Sequence, residues 1–301
     1  MYLEILSKLV SESLLSLYPT IIKNINIPFG IQLWSRFITY AVISWFFIDW
    51  DFVIETMFTG IGALLSIATI AHVYVSYRGF QLLDGGVAYA IFYTYPFMIL
   101  ALAGEKMNYT MFIALFGIIL LTFNDLDVFF IKTAKMNAKE AFGQLFEPVP
   151  PVKVNAKETA NSVEGIVMVL LAAFTEAIIY FIVKRIKTKN NWNHLFLSYL
   201  LGAILFSGVY LGDIGKLAEI GVGVSAALGA NIFIGLFGYL LRFYSITRLK
   251  TAIYAPLSYF GIFMAFIYGV VFNGEIVTIQ KVVGAICIVI ANLTSLYLQS
   301  K

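Results

Sequence analysis

Long apolar runs follow one another through the whole chain, each close to the roughly 20 residues an α-helix needs to cross a bilayer, with short polar turns between them. Ten can be marked, at 4–22, 30–48, 57–78, 85–103, 109–131, 163–186, 193–211, 220–243, 250–272 and 278–298. They lack the period-two alternation of barrel strands, and an open strand would leave backbone groups unpaired in hydrocarbon, so helices are expected. Composition points the same way: 60% of the 301 residues are hydrophobic, 12% are charged, and the mean hydropathy is +0.88. A water-soluble fold this apolar would lack the polar surface to stay dissolved. The expected partner is a lipid bilayer. The net charge of +3 is spread over short loops rather than gathered into a patch, which argues against nucleic acid. Cys287 is the single cysteine and can form no intrachain disulfide. The first run holds Glu12, is followed by Pro19 and shows no small-residue cleavage site, so it is expected to remain as a helix rather than leave as a signal peptide.

One separator is unlike the rest. Residues 132–162 are polar, carry Lys132, Lys135, Lys139, Lys153 and Lys157, and contain Pro148, Pro150 and Pro151, which favour an extended segment. The segment divides the chain into a first half, 1–131, and a second, 163–301, with five runs each. Met136, Phe142, Leu145 and Phe146 could form the apolar stripe of a short surface helix, and a mobile tether fits equally well. Orientation follows from basic residues in short loops. With a cytoplasmic amino terminus, the loop with Lys184, Arg185, Lys187 and Lys189 and the loop with Arg242, Arg248 and Lys250 both face the cytoplasm, although the linker lysines then lie outside. Ten crossings put both termini in the cytoplasm of a cell-membrane protein. Halves with an odd number of crossings enter from opposite sides, so a repeat between them must be inverted.

Several stretches resemble a known family. GIVMVLLAAFTEAIIYFIVKRI, from Gly165, is similar to the opening helix of the second EamA-type repeat in the drug/metabolite transporter superfamily. LRFYSITRLKTAIYAPLSYF followed by FNGEIVTIQKVVGAICIVIAN resembles the end of that repeat, with Ser258, Tyr259, Gly274, Glu275 and Gly284 in the family's order. The first half shows the same order, with Pro96 at the family's mid-helix proline and Gly117 at its closing glycine, and Arg36 resembles an arginine of the second helix. Gly104-Glu105 stands about a turn too near Pro96, and Ile262 occupies the place of the second half's proline. The resemblance implies an all-α integral membrane protein whose ten transmembrane helices form two inverted five-helix repeats around a central cavity, with alternating access and no ATP.

Ionisable residues inside the runs are the site candidates, because a charge in hydrocarbon is costly to keep. Glu176 lies mid-run, eight residues before Lys184, a spacing similar to that of the essential acid in small multidrug exporters of the same superfamily. A desolvated acid can exchange protons near neutral pH and hold either a proton or a cationic solute. Holding helices together is the competing role. Glu12 is on the corresponding run of the first half, where a small shift would leave it at the interface. Arg36 could clamp a substrate carboxylate or neutralise Glu176 or Glu12, and His72 could shuttle protons or be a hydrogen-bonded core histidine. Gln32, Tyr93, Asn231, Tyr254, Ser258 and Tyr259 could line a cavity. With 18 Tyr and 27 Phe, most aromatic residues must serve packing or interfacial anchoring. Glu105 and Glu275 end helices and read as structural.

An enzyme is the weaker alternative. His72 and His194 are the only histidines, no nucleophile or metal motif is present, and the cluster Asn124, Asp125 and Asp127 reads as a helix cap. A non-transporting receptor or scaffold would also fit the helices. No cofactor or metal is expected. The expected function is movement of a small organic metabolite, an amino acid or amine-like solute, by alternating access, with proton-coupled export as one mode and a monomer or homodimer as the assembly.

Overall fold

A computed structural model describes residues 2–18, 21, 28–83, 85–107, 109–122, 156–210, 222–273 and 277–300, and all regular structure among them is helical. The helices are α1 (Tyr2–Leu15), α2 (Phe29–Trp45), the short α3 (Trp50–Met57), α4 (Gly60–Leu82), α5 (Gly85–Phe92), α6 (Tyr95–Ala103) and α7 (Tyr109–Thr122). They are followed by α8 (Ala156–Arg185), α9 (Asn191–Tyr210), α10 (Val222–Arg248), α11 (Thr251–Leu257), α12 (Phe260–Asn273) and α13 (Ile279–Ser300). Among the described residues, 7 helical stretches are long and apolar enough to cross a membrane: α4, α8, α9, α10, α13 and the two composite runs α5–α6 and α11–α12.

The side chains are sorted for lipid rather than water. On α1 the exposed positions include Leu3, Leu6 and Val10, while Ser7, Lys8, Ser11 and Glu12 are buried. On α8 Val167, Leu171 and Phe174 face outward while Glu176 is buried. A soluble helix shows the reverse. In a bilayer an outward apolar face costs nothing and every polar group must find a partner inside, so the fold collects its charges at the centre. The chain is a multi-pass membrane protein.

Helices pair across the molecule in a crosswise manner: α1 packs on α10, α2 on α9 and α4 on α8. Small residues set the close approaches. A Cβ on Gly79 would meet the α8 backbone at Val169, and one on Gly238 would meet Leu15 of α1. The crossing of α7 and α13 is reciprocal: a Cβ on Gly117 would lie 2.7 Å from the Gly284 carbonyl oxygen, and one on Gly284 would lie 2.7 Å from the Gly117 carbonyl oxygen. The obstacles at the α7–α13 crossing are backbone carbonyls, which cannot swing aside.

Two of the apolar runs are interrupted. The run at 85–103 breaks at Tyr93-Thr94, and Pro96 occupies the first turn of α6, where its missing N–H costs no helical bond. The run at 250–272 breaks at Ser258-Tyr259, just past Pro256, which lies inside α11 and withholds a backbone donor. Bonds at both breaks tighten to i→i−3 spacing: Thr94 N donates to Ile91 O at 3.1 Å and Tyr259 N to Pro256 O at 3.1 Å. The second half therefore has its own proline-marked break, with Pro256 and not the position of Ile262 carrying the proline.

Some expectations change. Helix α8 begins at Ala156, inside the segment read as linker. The residues ahead of it, including Met136, Phe142, Leu145, Phe146 and the three prolines, lie outside the described residues, as do Asn124, Asp125, Asp127, Gly274 and Glu275. Helix α10 continues to Arg248, so Arg242 belongs to a helix interior and not to a loop. The basic residues at that turn reduce to Arg248, which ends α10, and Lys250.

Replacing Gly284 by leucine is expected to destabilise the protein by about 1–3 kcal/mol through overpacking against backbone, read as a fall in thermal midpoint in detergent. Gly229→Ala, with nothing within 4 Å of the new methyl, is expected to leave the midpoint unchanged or slightly higher. Equal midpoints for Gly284→Leu and the parent would contradict the α7–α13 crossing.

Candidate functional site

Four elements deliver charged or titratable side chains to one point in the interior. On α1, Lys8 and Glu12 are one turn apart, and Lys8 Nζ donates to Glu12 Oε1 at 2.6 Å. On α10, Arg242 reaches both acids: its Nη2 donates to Glu12 Oε1 at 3.0 Å and its Nη1 to Glu176 Oε1 at 2.6 Å. On α4, His72 brings Nε2 to 3.3 Å from Glu176 Oε2 of α8. The side chains of Glu12, Glu176 and Arg242 are 0%, 1% and 3% exposed. Two cations and two anions sum to zero with a neutral imidazole, which is what low-dielectric burial demands.

Local structure explains how each group arrives. Ser11 Oγ donates to the Gly238 carbonyl at 2.8 Å, fastening α1 against the glycine-bearing face of α10. That face continues through Tyr239 to Arg242, at helical spacing. The break at Tyr93-Thr94 has a consequence for Glu12. Residues two apart on an unbroken helix point away from one another, yet Tyr93 and Tyr95 both donate to this carboxylate, each at 3.2 Å, to Oε2 and Oε1 respectively. Glu12 thus accepts from Lys8, Arg242 and two tyrosines. Lys8 Nζ also sits 3.6 Å from the centroid of the Tyr254 ring, a cation–π contact inside the protein.

The His72 ring has a defined tautomer. Its Nδ1 is 3.1 Å from the Ala172 carbonyl oxygen, which can only accept, so the hydrogen is assigned to Nδ1. Nε2 of the neutral ring is then an acceptor, and the Tyr239 hydroxyl donates to it at 3.3 Å. It faces Glu176 Oε2, a buried oxygen with no hydrogen-bond partner among the described residues. An acceptor nitrogen and an unpartnered carboxylate oxygen thus lie 3.3 Å apart, and a proton placed between them would bond the two once the Tyr239 hydroxyl turns away.

Beside this network lies a cavity of about 50 Å³, lined in part by Arg36, His72, Tyr77, Tyr93, Tyr239 and Arg242. Arg36 does not neutralise either acid. None of the ion pairs among the described residues includes it. Its Nη2 donates to the Tyr199 hydroxyl at 2.8 Å, and the rings of Tyr18, Tyr40, Tyr77, Tyr199 and Tyr239 surround its guanidinium with centroids 4.9–5.6 Å away.

The geometry brings together Glu176, Glu12, His72 and Tyr93 of the sequence candidates and leaves Arg36 on the neighbouring cavity wall. Glu12 is fully buried rather than at the interface. Asn231 donates to the hydroxyl of the cavity-lining Tyr77 at 3.2 Å. Tyr254 serves as the ring under Lys8; Ser258 donates back to the Tyr254 carbonyl, and Tyr259 packs on Phe97, so neither of these two touches the network. Lys184 stands apart, donating to Tyr180 one turn back on α8 and tying that helix to Leu249 and Thr251. Sequence reading missed Lys8 and Arg242. Lys8 was legible in the stripe Ser7, Lys8, Ser11 and Glu12, which is polar while the opposite face is leucine and valine. Arg242 was hidden because hydropathy ends a run at an arginine.

Removing Arg242 leaves two buried carboxylates without their shared cation. Arg242→Met is expected to cost about 3–5 kcal/mol, seen as a large drop in thermal midpoint. Adding Glu12→Gln to that variant should recover part of the loss. Simple additivity of the two substitutions in a double-mutant cycle would remove the bridge from the account.

Comparison with known proteins gives a concordant result. Residues 163–297 match the EamA-like transporter family. No curated protein sequence matches the chain. A solved structure, described only as a crystal structure of a protein, superposes with a TM-score of 0.61 over 97% of this chain and 98% of that one, at 13% identity, which speaks to the fold alone. The segment 163–297 is thus similar to the EamA-like transporter family, part of the drug/metabolite transporter superfamily.

Proposed function

We propose that the protein is a secondary transporter whose ten helices form two inverted five-helix repeats, 1–131 and 163–301, moving a small organic metabolite by alternating access with a proton site at His72 and Glu176. The observation that carries this reading is the reciprocity of the buried charges. In the proposed repeats α1 and α8 are the opening helices and α4 and α10 the third helices. The acid on each opening helix meets the base on the third helix of the other half: Glu12 with Arg242, and Glu176 with His72. Such an exchange is what two interlocked, inverted copies of one unit would produce. The breaks in both fourth helices and the mutual contact of Gly117 and Gly284 support the same arrangement.

A network at the crossing of the halves suits alternating access, because any rocking of one half against the other must re-partner these groups. A ligand or proton that favours one set of partners shifts the equilibrium by its difference in affinity for the two states. The gap between Nε2 of His72 and Oε2 of Glu176 is the place for that proton. The groups facing it are Tyr239 and Arg242, both from α10. Protonation would turn an acceptor–acceptor contact into a charge-assisted hydrogen bond. A receptor has no need of such a device, and measurement of flux separates the two readings.

The test is uptake into liposomes holding the full chain, with radiolabelled lactate, alanine and ethanolamine as probes, with and without a pH gradient and against protein-free vesicles. Faster uptake of at least one probe, accelerated by the gradient, is expected. Glu176→Gln and His72→Gln, checked for folding by gel filtration, should each reduce the gradient's effect about tenfold or more, the scale of one lost charge-assisted hydrogen bond. Unchanged gradient dependence in both variants would remove this proton site, and binding of a probe without uptake would favour a receptor.

A further inference from the structure

We infer that the solute is a small monocarboxylate whose anionic head is held by Arg36 in its cage of tyrosines, and that a solute amine has no carboxylate to pair with in this site. The inference deepens the transport reading and rests on it. Charge balance leads to it. Lys8, Glu12, Arg242 and Glu176 cancel among themselves. Arg36 is 2% exposed and has no carboxylate among the described residues to offset it. Its Nε is buried without a hydrogen-bond partner, and the side chain lines the cavity. Aromatic faces offset part of that cost, on the order of 0.5–2 kcal/mol for a cation–π contact, but they supply no counter-charge. A ligand anion would.

The same cage argues against a cationic solute. Aromatic faces are the usual receptor for an amine or quaternary ammonium, and here five of them already surround the protein's own guanidinium. Both acids that could receive an amine are engaged by Arg242, and neither lines the cavity. An amino acid, one of the solutes expected from the sequence, would need a carboxylate beside Arg36 to receive its ammonium, and neither Glu176 nor Glu12 lines the cavity that Arg36 does.

Size and valence narrow the class. A cavity of about 50 Å³ takes a few water-sized groups, at about 10–15 Å³ each, which suits a carboxylate head and a short tail. One unbalanced positive charge matches a monoanion, whereas a dianionic phosphate would leave a negative charge uncompensated. A guanidinium also presents a planar fork that a carboxylate fits with two parallel bonds. The Tyr77 hydroxyl, which accepts from Asn231 at 3.2 Å, keeps its own proton to donate to the same head.

Binding is measured on the purified full chain in detergent by titration calorimetry and thermal shift, with lactate, propionate, alanine and ethanolamine at constant chloride. Lactate and propionate should bind and raise the midpoint. Alanine, which differs from lactate by an ammonium in place of a hydroxyl, should bind at least tenfold more weakly, and ethanolamine should not bind. Arg36→Gln should abolish carboxylate binding and Arg36→Lys retain part of it, while Arg248→Gln at the exposed end of α10 should bind as the parent does. If Arg36→Gln does not fold, Tyr77→Phe should still weaken lactate by several-fold. Alanine or ethanolamine binding as tightly as lactate, carboxylate affinity unchanged in Arg36→Gln or in Tyr77→Phe, or a site that responds to chloride only would each overturn the inference. Lactate binding without uptake by liposomes would sink the transport reading and leave the anion site standing. Uptake of alanine or ethanolamine without lactate binding would do the opposite.

Discussion

Arg242 is the constraint around which the interior is built. A guanidinium buried between two carboxylates from different helices fixes the positions of α1, α8 and α10 relative to one another, because each hydrogen bond tolerates only a few tenths of an ångström. Nothing in hydrocarbon could replace a lost partner. Lys8 on one side and His72 on the other extend the chain of charges, so that five ionisable groups on four helices depend on a single geometry. The glycines follow from it. Gly238 lets α1 come close enough for Glu12 to reach Arg242, and Gly79 does the same for α4 against α8, where His72 meets Glu176.

Tyrosines supply most of the remaining partners. They donate hydroxyls to Glu12, to His72 and to one another, and they offer ring faces to Lys8, Arg36 and Arg242. Phenylalanine could pack equally well at these places but would leave the buried charges without donors. The abundance of tyrosine is therefore part of the electrostatics as well as of the packing. The interrupted helix around Thr94 belongs to the same design, since only a break lets Tyr93 and Tyr95 serve one carboxylate.

Much of the site was legible residue by residue. Glu176 stood out as an acid mid-run, and Glu12 and His72 were visible for the same reason. Their partners were not. Lys8 lay near the chain's beginning, where a charge costs little if the helix ends there, and Arg242 sat where hydropathy places a loop. Arg36 was visible, but its partner stayed open between a substrate carboxylate, Glu176 and Glu12, because the sequence offers two acids and no indication of which base each one meets.

Sequence by itself determined the solvent, the helical class and the interior residues, since the length of each apolar run and the cost of a charge within it are local properties. It also marked the second half as an EamA-like segment through an ordered set of local motifs. Tertiary structure decided which charge neutralises which, that the fourth apolar run breaks to bring two hydroxyls to Glu12, and that Arg36 is left with tyrosines alone. Those outcomes depend on contacts between residues such as Glu12 and Arg242, 230 positions apart. An ion pair is set by distances in space, and no periodicity along a chain encodes them.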